Sequence, residues 1–484
     1  PRSTHCISSA ASDVYKRQAT ATIVGDFEKE EALAMVKKHF GRIMKSRNEI
    51  PQVYTEEPEQ EGQRRVILKS AGQQGVVGVA HKTPAATHED APAFMVLSSI
   101  LSSGKNSRFY KKITDKGLTT SVFIWDSLFR DPGLFAVYAN LTPGTEHEDV
   151  EEIIMAEYEE IKKNGVSEEE VNKAKAQLVA NMKFRQDGSY MVAGSLNEAI
   201  ASGDWTLYTR YEEMVSAVTA EDIKSVVERY FLEDLSTVGH FVPKSTGNQG
   251  ARRGPSSAIE LEEMKQKHFS TSEENNEGLL LAQIEDSEPT EGVRLLTLKR
   301  GSGVVTFSGS FLGGDIYAPN TNPRVPDVVV SMLDQGTTKN SKFEISSQLE
   351  GAGARLSFSN GKARVGFGGK FLSEDMDLVV GLLAEQLKVP AFDSEELKKT
   401  KSRLITGYKK SKESTRGNAL NNMLKSFYPA GHQNAADDPD DSIQNIEKIT
   451  AEDLKNYHKE AYGTGSMVFA VSYTHLTLPT ICSV

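Results

Sequence analysis

The chain has 484 residues, 38% of them hydrophobic and 25% charged, with a formal net charge of -11. That length accommodates two or three domains, and the acidic balance argues against a nucleic-acid groove as the main working surface. The two cysteines, Cys6 and Cys482, lie near opposite ends, so no disulfide framework or cysteine-based zinc ribbon is encoded; no run of 18 apolar residues predicts a membrane span, and no signal peptide is visible.

In chain order, residues 1–18 follow neither a helical nor a strand period. They read as a non-native tail, as do residues 472–484, and both resemble translated adapter sequence joined to a truncated gene. The natural protein is expected to continue past both ends. ATATIVGD (19–26) predicts a strand and KEEALAMVKKHFGRI (29–43) an amphipathic helix. His39 falls at that helix's end, where an imidazole suits the dipole. RRVILKS (64–70) and GVVGVAHKT (75–83) predict strands, followed by helices over 91–102 and near 107–116. TTSVFIWDSL (119–128) and GLFAVYANLTP (133–143) predict a hairpin turning at Arg130-Asp131-Pro132-Gly133. Val150, Ile153, Ile154 and Ile161 share one face of a helix over 148–163, and His147-Glu148-Asp149 reads as its charged first turn. Long helices continue to about residue 231, and STVGHFVP (236–243) closes the unit as a strand.

Residues 245–291, rich in Gly, Ser, Asn, Glu and Pro, read as a polar linker with a helical patch at 257–267. Strands then follow at 293–299 and 303–312, helices at 324–335 and 342–350, and strands at 354–359 and 363–371. Helices fill most of 373–462, and GSMVFAV (465–471) begins a last strand.

Comparing the chain with itself exposes a repeat. VTAEDIKSVVERY (218–230) matches ITAEDLKNYHKEAY (449–462), with Thr219 and Thr450 placed as N-caps and Asp222 and Asp453 where a capping-box acid belongs. SEEEVNKAKAQLV (167–179) matches DSEELKKTKSRLI (393–405). The matches are 231 and 226 residues apart, so one ancestral unit occurs twice. Sheet first and helices after, with hairpin-linked strands, predicts an α+β fold. Two homologous domains, each an antiparallel sheet packed with helices, are joined by the polar linker.

No catalytic constellation emerges from the residues alone. Among ten histidines the closest pair, His81 and His88, is seven residues apart, so neither HExxH nor HxxEH, the zinc-binding helices with a water-activating Glu, is present. There is no GxSxG. GFGGK (366–370) and SGKNS (103–107) lack the phosphate-loop spacing. GAGA (351–354) lacks the third Gly of a dinucleotide fingerprint, and its glycines fit a helix cap and a turn.

Several segments together nevertheless resemble the insulinase/pitrilysin family of zinc metallopeptidases. They are ATIVGDFEKEEALAMVKKHFGRI (21–43), SSILSSGKNSRFYKKITDKGLTTSV (98–122), DPGLFAVYANLTPG (131–144), SMLDQGT (331–337) and PAFDSEELKKTKSRLI (390–405). The resemblance covers roughly residues 19–471 and implies the processing-peptidase-like fold. Members are clamshells of similar domains around a chamber that takes peptides or unfolded polypeptide. It implies that residues 19–244 correspond to the second domain, truncated at its start, and 292–471 to a degenerate first-type domain of the second half, with domains one and four missing. The zinc motif's counterpart here is Asp327-Val328-Val329-Val330-Ser331, and the distal Glu ligand falls near Gly407. On that reading zinc belongs to the parent enzyme and is not bound here; no metal-binding or catalytic residue is assigned. The family's substrate-holding Arg and Tyr correspond to Thr114 and Thr120, while Arg108 and Tyr110 read as packing residues. The implied function is part of a zinc metalloendopeptidase that lacks its own zinc site, or alternatively a non-catalytic scaffold or peptide-binding subunit. The implied location is the bacterial periplasm, with no nucleic-acid partner.

Overall fold

The computed structural model describes residues 20–42, 59–72, 74–244, 284–299, 303–429, 432 and 434–473. Both cysteines, residues 1–18 and the helical patch expected at 257–267 lie outside them.

In the first repeat, strand β1 (Arg64–Ala71) is followed by β2 (Val76–Thr83), whose alternating sequence becomes alternating burial, with Val77, Val79, His81 and Thr83 inward. The hairpin of β3 (Thr119–Asp126) and β4 (Gly133–Leu141) forms as expected, and β5 (Thr237–Lys244) inserts between β1 and β2. Helix α1 (Lys29–Phe40) precedes the sheet. Helix α2 (Ala91–Ser102) and a π-helical turn over Tyr110–Thr114 lie between β2 and β3. Helices α3 (His147–Asn164), α4 (Glu168–Arg185), α5 (Ser189–Ala201), α6 (Thr206–Ala217) and α7 (Ala220–Tyr230) separate β4 from β5. Phe94, Leu97, Val137, Ile154, Tyr158 and Phe231 lie in one fully buried core between sheet and helices. Each such side chain contributes roughly 1.5–3 kcal/mol relative to its exposed state.

The second repeat runs through the same order. Strand β6 (Ile284–Thr290) is an addition. After it come β7 (Val293–Lys299), β8 (Val304–Leu312), α8 (Val325–Met332), α9 (Lys342–Gly351), β9 (Arg355–Asn360) and β10 (Arg364–Leu372). Then follow α10 (Met376–Lys388), α11 (Ser394–Ser411), α12 (Thr415–Phe427), α13 (Pro439–Lys448), α14 (Ala451–Ala461) and β11 (Met467–Tyr473). The sheet orders, β1-β5-β2-β4-β3 and β6-β7-β11-β8-β10-β9, are the same arrangement with one strand added at the edge. The two capping boxes read from the sequence close with matching geometry. Asp222 N and Asp453 N each donate to their N-cap threonine at 3.2 Å, and each threonine N donates back to the acid at 2.8 Å.

Four expectations need correction. Neither sheet is wholly antiparallel: β1 pairs parallel with β5, and β7 with β11. The long helical stretch before each final strand supplies the crossover that a parallel return requires. Residues 20–26 form no strand; Thr22 donates instead to Asn197 of α5 at 2.7 Å, and a backbone without a ladder partner does not hold strand geometry. The linker expected over 245–291 ends early, because Ile284–Thr290 pairs with β7, and β11 runs two residues into the segment read as a tail.

The repeats meet through equivalent parts. The chain segments KNSRF (105–109) and KNSKF (339–343), a third internal match, face each other. Asn106 Nδ2 donates to the Phe343 carbonyl at 3.0 Å, Lys105 Nζ lies 2.9 Å from Asp334, and Tyr110 meets Phe343 edge-on. Lys173 of α4 reaches Ser347 at 2.6 Å, while its repeat counterpart Lys399 of α11 reaches Asp115 at 3.2 Å. Two positive-φ glycines permit this approach. A Cβ on Gly104 (φ 80°) would lie 2.0 Å from Glu350 Oε1, and one on Gly353 (φ 60°) 2.3 Å from the Ala180 Cβ.

Candidate functional site

The segment Asp327–Ser331 and the residue Gly407, 76 positions further along the chain, share one cleft of about 550 Å³. Three elements build it. Helix α8, started by a Pro in its first turn and packed through Val325, Val328, Val329 and Met332, presents Asp327, Val330 and Ser331. The edge strand β9 supplies Leu356 to Asn360, and α11 supplies Arg403, Leu404, Gly407, Tyr408 and Ser411.

An ion-pair network joins three of its lining residues, Asp327, Asn360 and Tyr408. Arg324, one residue before α8, donates from Nη1 to Asp327 Oδ2 at 2.8 Å and to the Tyr408 hydroxyl at 3.3 Å, and its Nη2 pairs with Asp437. Asn360, the last residue of β9, donates to the other Asp327 oxygen at 2.6 Å and to Asp315 at 2.6 Å. Burial works against the Arg324 charge, but Tyr408, Asp437 and Asp327 around it more than compensate and raise its pKa. Burial likewise pushes the Tyr408 hydroxyl up.

These residues do not fit a zinc ion. A zinc site needs three or four nitrogen, sulfur or carboxylate donors converging on one point. Asp327 is the one carboxylate at the motif position, and both its oxygens are engaged, one of them by a cation. The Ser331 hydroxyl donates back to the Asp327 carbonyl at 2.8 Å; Val330, where the water-activating Glu would stand, is buried and apolar; Gly407 has no side chain. Among the described residues no group of three or more His, Cys, Asp or Glu is placed to hold a metal.

The other residues singled out in the sequence bond partners within the first repeat. Thr114 bonds Thr119 at 3.0 Å, and Thr120 accepts from Gln74 at 2.7 Å and donates to the Asn140 carbonyl at 3.3 Å. Arg108 clamps α3 to α4, with Nη1 to Glu157 at 2.8 Å, Nε to Glu170 at 2.7 Å and Nη2 to the Gly165 carbonyl at 3.4 Å. Against the cost of its own burial, Glu170 is held down to about 2 by Arg108 and by the Ser167 cap. The His147 ring bonds the Phe241 carbonyl of β5 at 2.8 Å, so it anchors α3 to the sheet as well as opening the helix. Sequence reasoning missed Arg324, Asn360 and Asp437. Their spacing carries no motif; the nearest local signal is Asn322-Pro323, whose Asn322 Oδ1 accepts from the Arg324 N–H at 3.0 Å just ahead of α8.

Residues 16–178 match the family model described as Peptidase M16 inactive domain, and residues 311–436 the one described as Insulinase (Peptidase family M16). The zinc protease PqqE of Helicobacter pylori is 28% identical over 231 residues, covering 47% of this chain and 52% of that protein. A zinc protease of Mycobacterium leprae is 29% identical over 158 residues, 32% of this chain and 35% of its own length. Among solved structures, a protease from Helicobacter pylori is 27% identical, with a TM-score of 0.44, over 46% of this chain and 54% of that one. The ferredoxin protease FusC, in complex with Arabidopsis ferredoxin, is 13% identical with a TM-score of 0.47 and covers 95% of this chain and 54% of its own. The chain thus spans about half the length of the first of these relatives. No helix among the described residues is long and apolar enough to cross a membrane.

Proposed function

Because the chain belongs to the insulinase family of peptidases, family M16, we propose that it forms the part of a zinc protease that encloses and holds polypeptide without cutting it. The observation that carries this reading is the state of Asp327. At the position where the family's metal-binding helix begins, an arginine and an asparagine occupy both carboxylate oxygens. In this reading residues 19–244 act as a second-type domain and 292–471 as a degenerate first-type domain. Hydrolysis belongs to a zinc-bearing unit elsewhere in the assembly, and the substrate is peptide or unfolded polypeptide.

The outer edge of β9, unpaired among the described residues, borders the cleft, and an edge strand offers free backbone groups to an extended chain. The test is incubation of the purified chain with an unfolded, fluorescently labelled polypeptide, with and without a chelator. The expected result is retention without cleavage, unchanged by the chelator. Chelator-sensitive cleavage would overturn the proposal.

A further inference from the structure

The first repeat holds a second cleft, larger than the first and built from the corresponding elements. About 1040 Å³ in volume, it lies among α2, the end of β3 and the turn after it, α4, α5 and α6, with Arg355 and Lys370 of the second repeat on its border. Its walls are rich in aromatic and sulfur-bearing side chains, among them Trp125, Phe129, Tyr208, Tyr211, Met182 and Met214. Trp125 and Phe129 are half exposed.

One residue in this lining is out of place. Asp126 closes β3, and its Oδ1 is sealed from water and accepts no hydrogen bond; the neighbouring Ser127 hydroxyl is also buried without a partner. A carboxylate in such surroundings is costly unless a cation or donors reach it. Three of the four basic residues on the cavity's lining bond acceptors other than Asp126, and two of those acceptors, Glu198 and Asn181, stand on the lining as well. Arg185 lies 3.7 Å from Glu198, Lys370 lies 3.3 Å from Asp187, and Arg355 donates to the Asn181 amide oxygen. Arg130 stands next to Asp131 in the exposed turn. Burial alone pushes the Asp126 carboxyl up to about 7, with no cation opposing it. Burial raises the Tyr211 hydroxyl on α6, with Arg185 opposing that shift and Asp126 adding to it.

An acid without a cation, walled by aromatic rings, is the complement of an ammonium or guanidinium group on an apolar stem. The rings attract the positive charge through their faces and cover the methylenes. We propose that this cavity binds a basic side chain, lysine or arginine, of a polypeptide, with the cationic nitrogen against Asp126 and the stem and apolar neighbours against the aromatic walls. The proposal rests on the reading that the chain holds polypeptide, and it adds what part of the polypeptide is held.

The test uses the full chain and three peptides. The first is acetylated and amidated Ala-Phe-Lys-Phe-Ala, the second carries norleucine for lysine, and the third is the norleucine peptide with a free amino terminus. Binding is read by calorimetry and by the emission of Trp125, one of two tryptophans. The lysine peptide is expected to bind about tenfold tighter at pH 8 than at pH 6, as Asp126 ionises, and the capped norleucine peptide equally at both. Asp126→Asn should abolish the difference between the two capped peptides while leaving norleucine binding unchanged. Equal binding of the capped peptides, binding of neither, or a lysine preference that survives Asp126→Asn would overturn the proposal. A free-terminus peptide that binds as well as the lysine peptide would replace the side chain with a chain terminus and overturn the assignment too. Peptide cleavage by the chain would sink the non-cutting role without affecting this titration, and failure here leaves that role standing.

Discussion

The two repeats share one element order and one sheet arrangement, yet their corresponding clefts hold opposite electrostatic states. In the second repeat Asp327 is saturated by Arg324 and Asn360; in the first, Asp126 has no cation. The strand ends make the contrast direct. Asn360 closes β9 and spends its amide on two carboxylates, whereas Asp126 closes β3 and is itself the acid in need. The sheet edges differ in the same spirit. Strand β7 is covered by β6, while β1 leaves Val66, Ile67 and Leu68 more than half exposed. Duplication preserved the scaffold, where packing sets the constraint, and let the charged positions drift, where a single partner decides the outcome.

The comparison breaks most visibly at Arg324. Arg324→Ala would leave Asp327 and Asp437 without their cation and is expected to cost about 4 kcal/mol, read from chemical denaturation; replacing Arg324 and Asp327 together with apolar residues should recover part of it. An unchanged midpoint for the single variant would show that the network is ornamental.

At Asp126 the expected sign is reversed. Its folded pKa lies above the ordinary carboxylate value of 3.8, at about 7. The folded state therefore binds the extra proton, and stability falls as pH rises from about 4 to 7. Asp126→Asn should remove that slope and stabilise the chain at pH 8 by about 3 kcal/mol, after discounting for the part of the side chain that water reaches. A destabilised variant at pH 8 would contradict the assignment.

A third difference lies in the core. His81 is buried between Tyr158 and Phe231, and burial, helped by Lys162, lowers it to about 4. The unfolded chain takes up the proton first, so stability should drop as pH falls from about 6.5 to 4, by about 3 kcal/mol. His81→Leu should flatten that window in a series of denaturation curves. The smallest effect is expected at the seam between the repeats. Gly104→Ala must force a Cβ into a positive-φ position against Glu350 and should cost about 1 kcal/mol, visible as a lower melting temperature.

Much of this was legible in the residues, and the exceptions have a physical pattern. Local signals worked. The capping acids Asp222 and Asp453, the bounds of α2, and the hairpin at Arg130–Gly133 depend on neighbours a few residues away. Segments whose state depends on a distant partner did not read out. ATATIVGD carries strand alternation but finds no ladder among the described residues, and IEDSEPT reads as polar linker yet pairs with β7. The parallel pairs needed the whole helical crossover to be known. The site divides in the same way. The missing histidines and the placement of Asp327, Ser331 and Gly407 came from the sequence and its resemblance, and all three line one cleft. Asn360 lines it too, while Arg324 and Asp437 join the network beside it; the three come from separate stretches of chain, and nothing in their spacing announces that they meet.

The most direct test of the central claim, that the second repeat keeps the cleft of a metallopeptidase but not its metal site, is a zinc titration by calorimetry. The chain as it stands should be compared with a variant carrying Asp327→His, Val330→Glu, Ser331→His and Gly407→Glu. The natural chain is expected to bind no stoichiometric zinc and the variant about one equivalent, as a tetrahedral site with an open position would take. One equivalent of zinc bound by the natural chain, released by chelator and lost in Asp327→Ala, would contradict it.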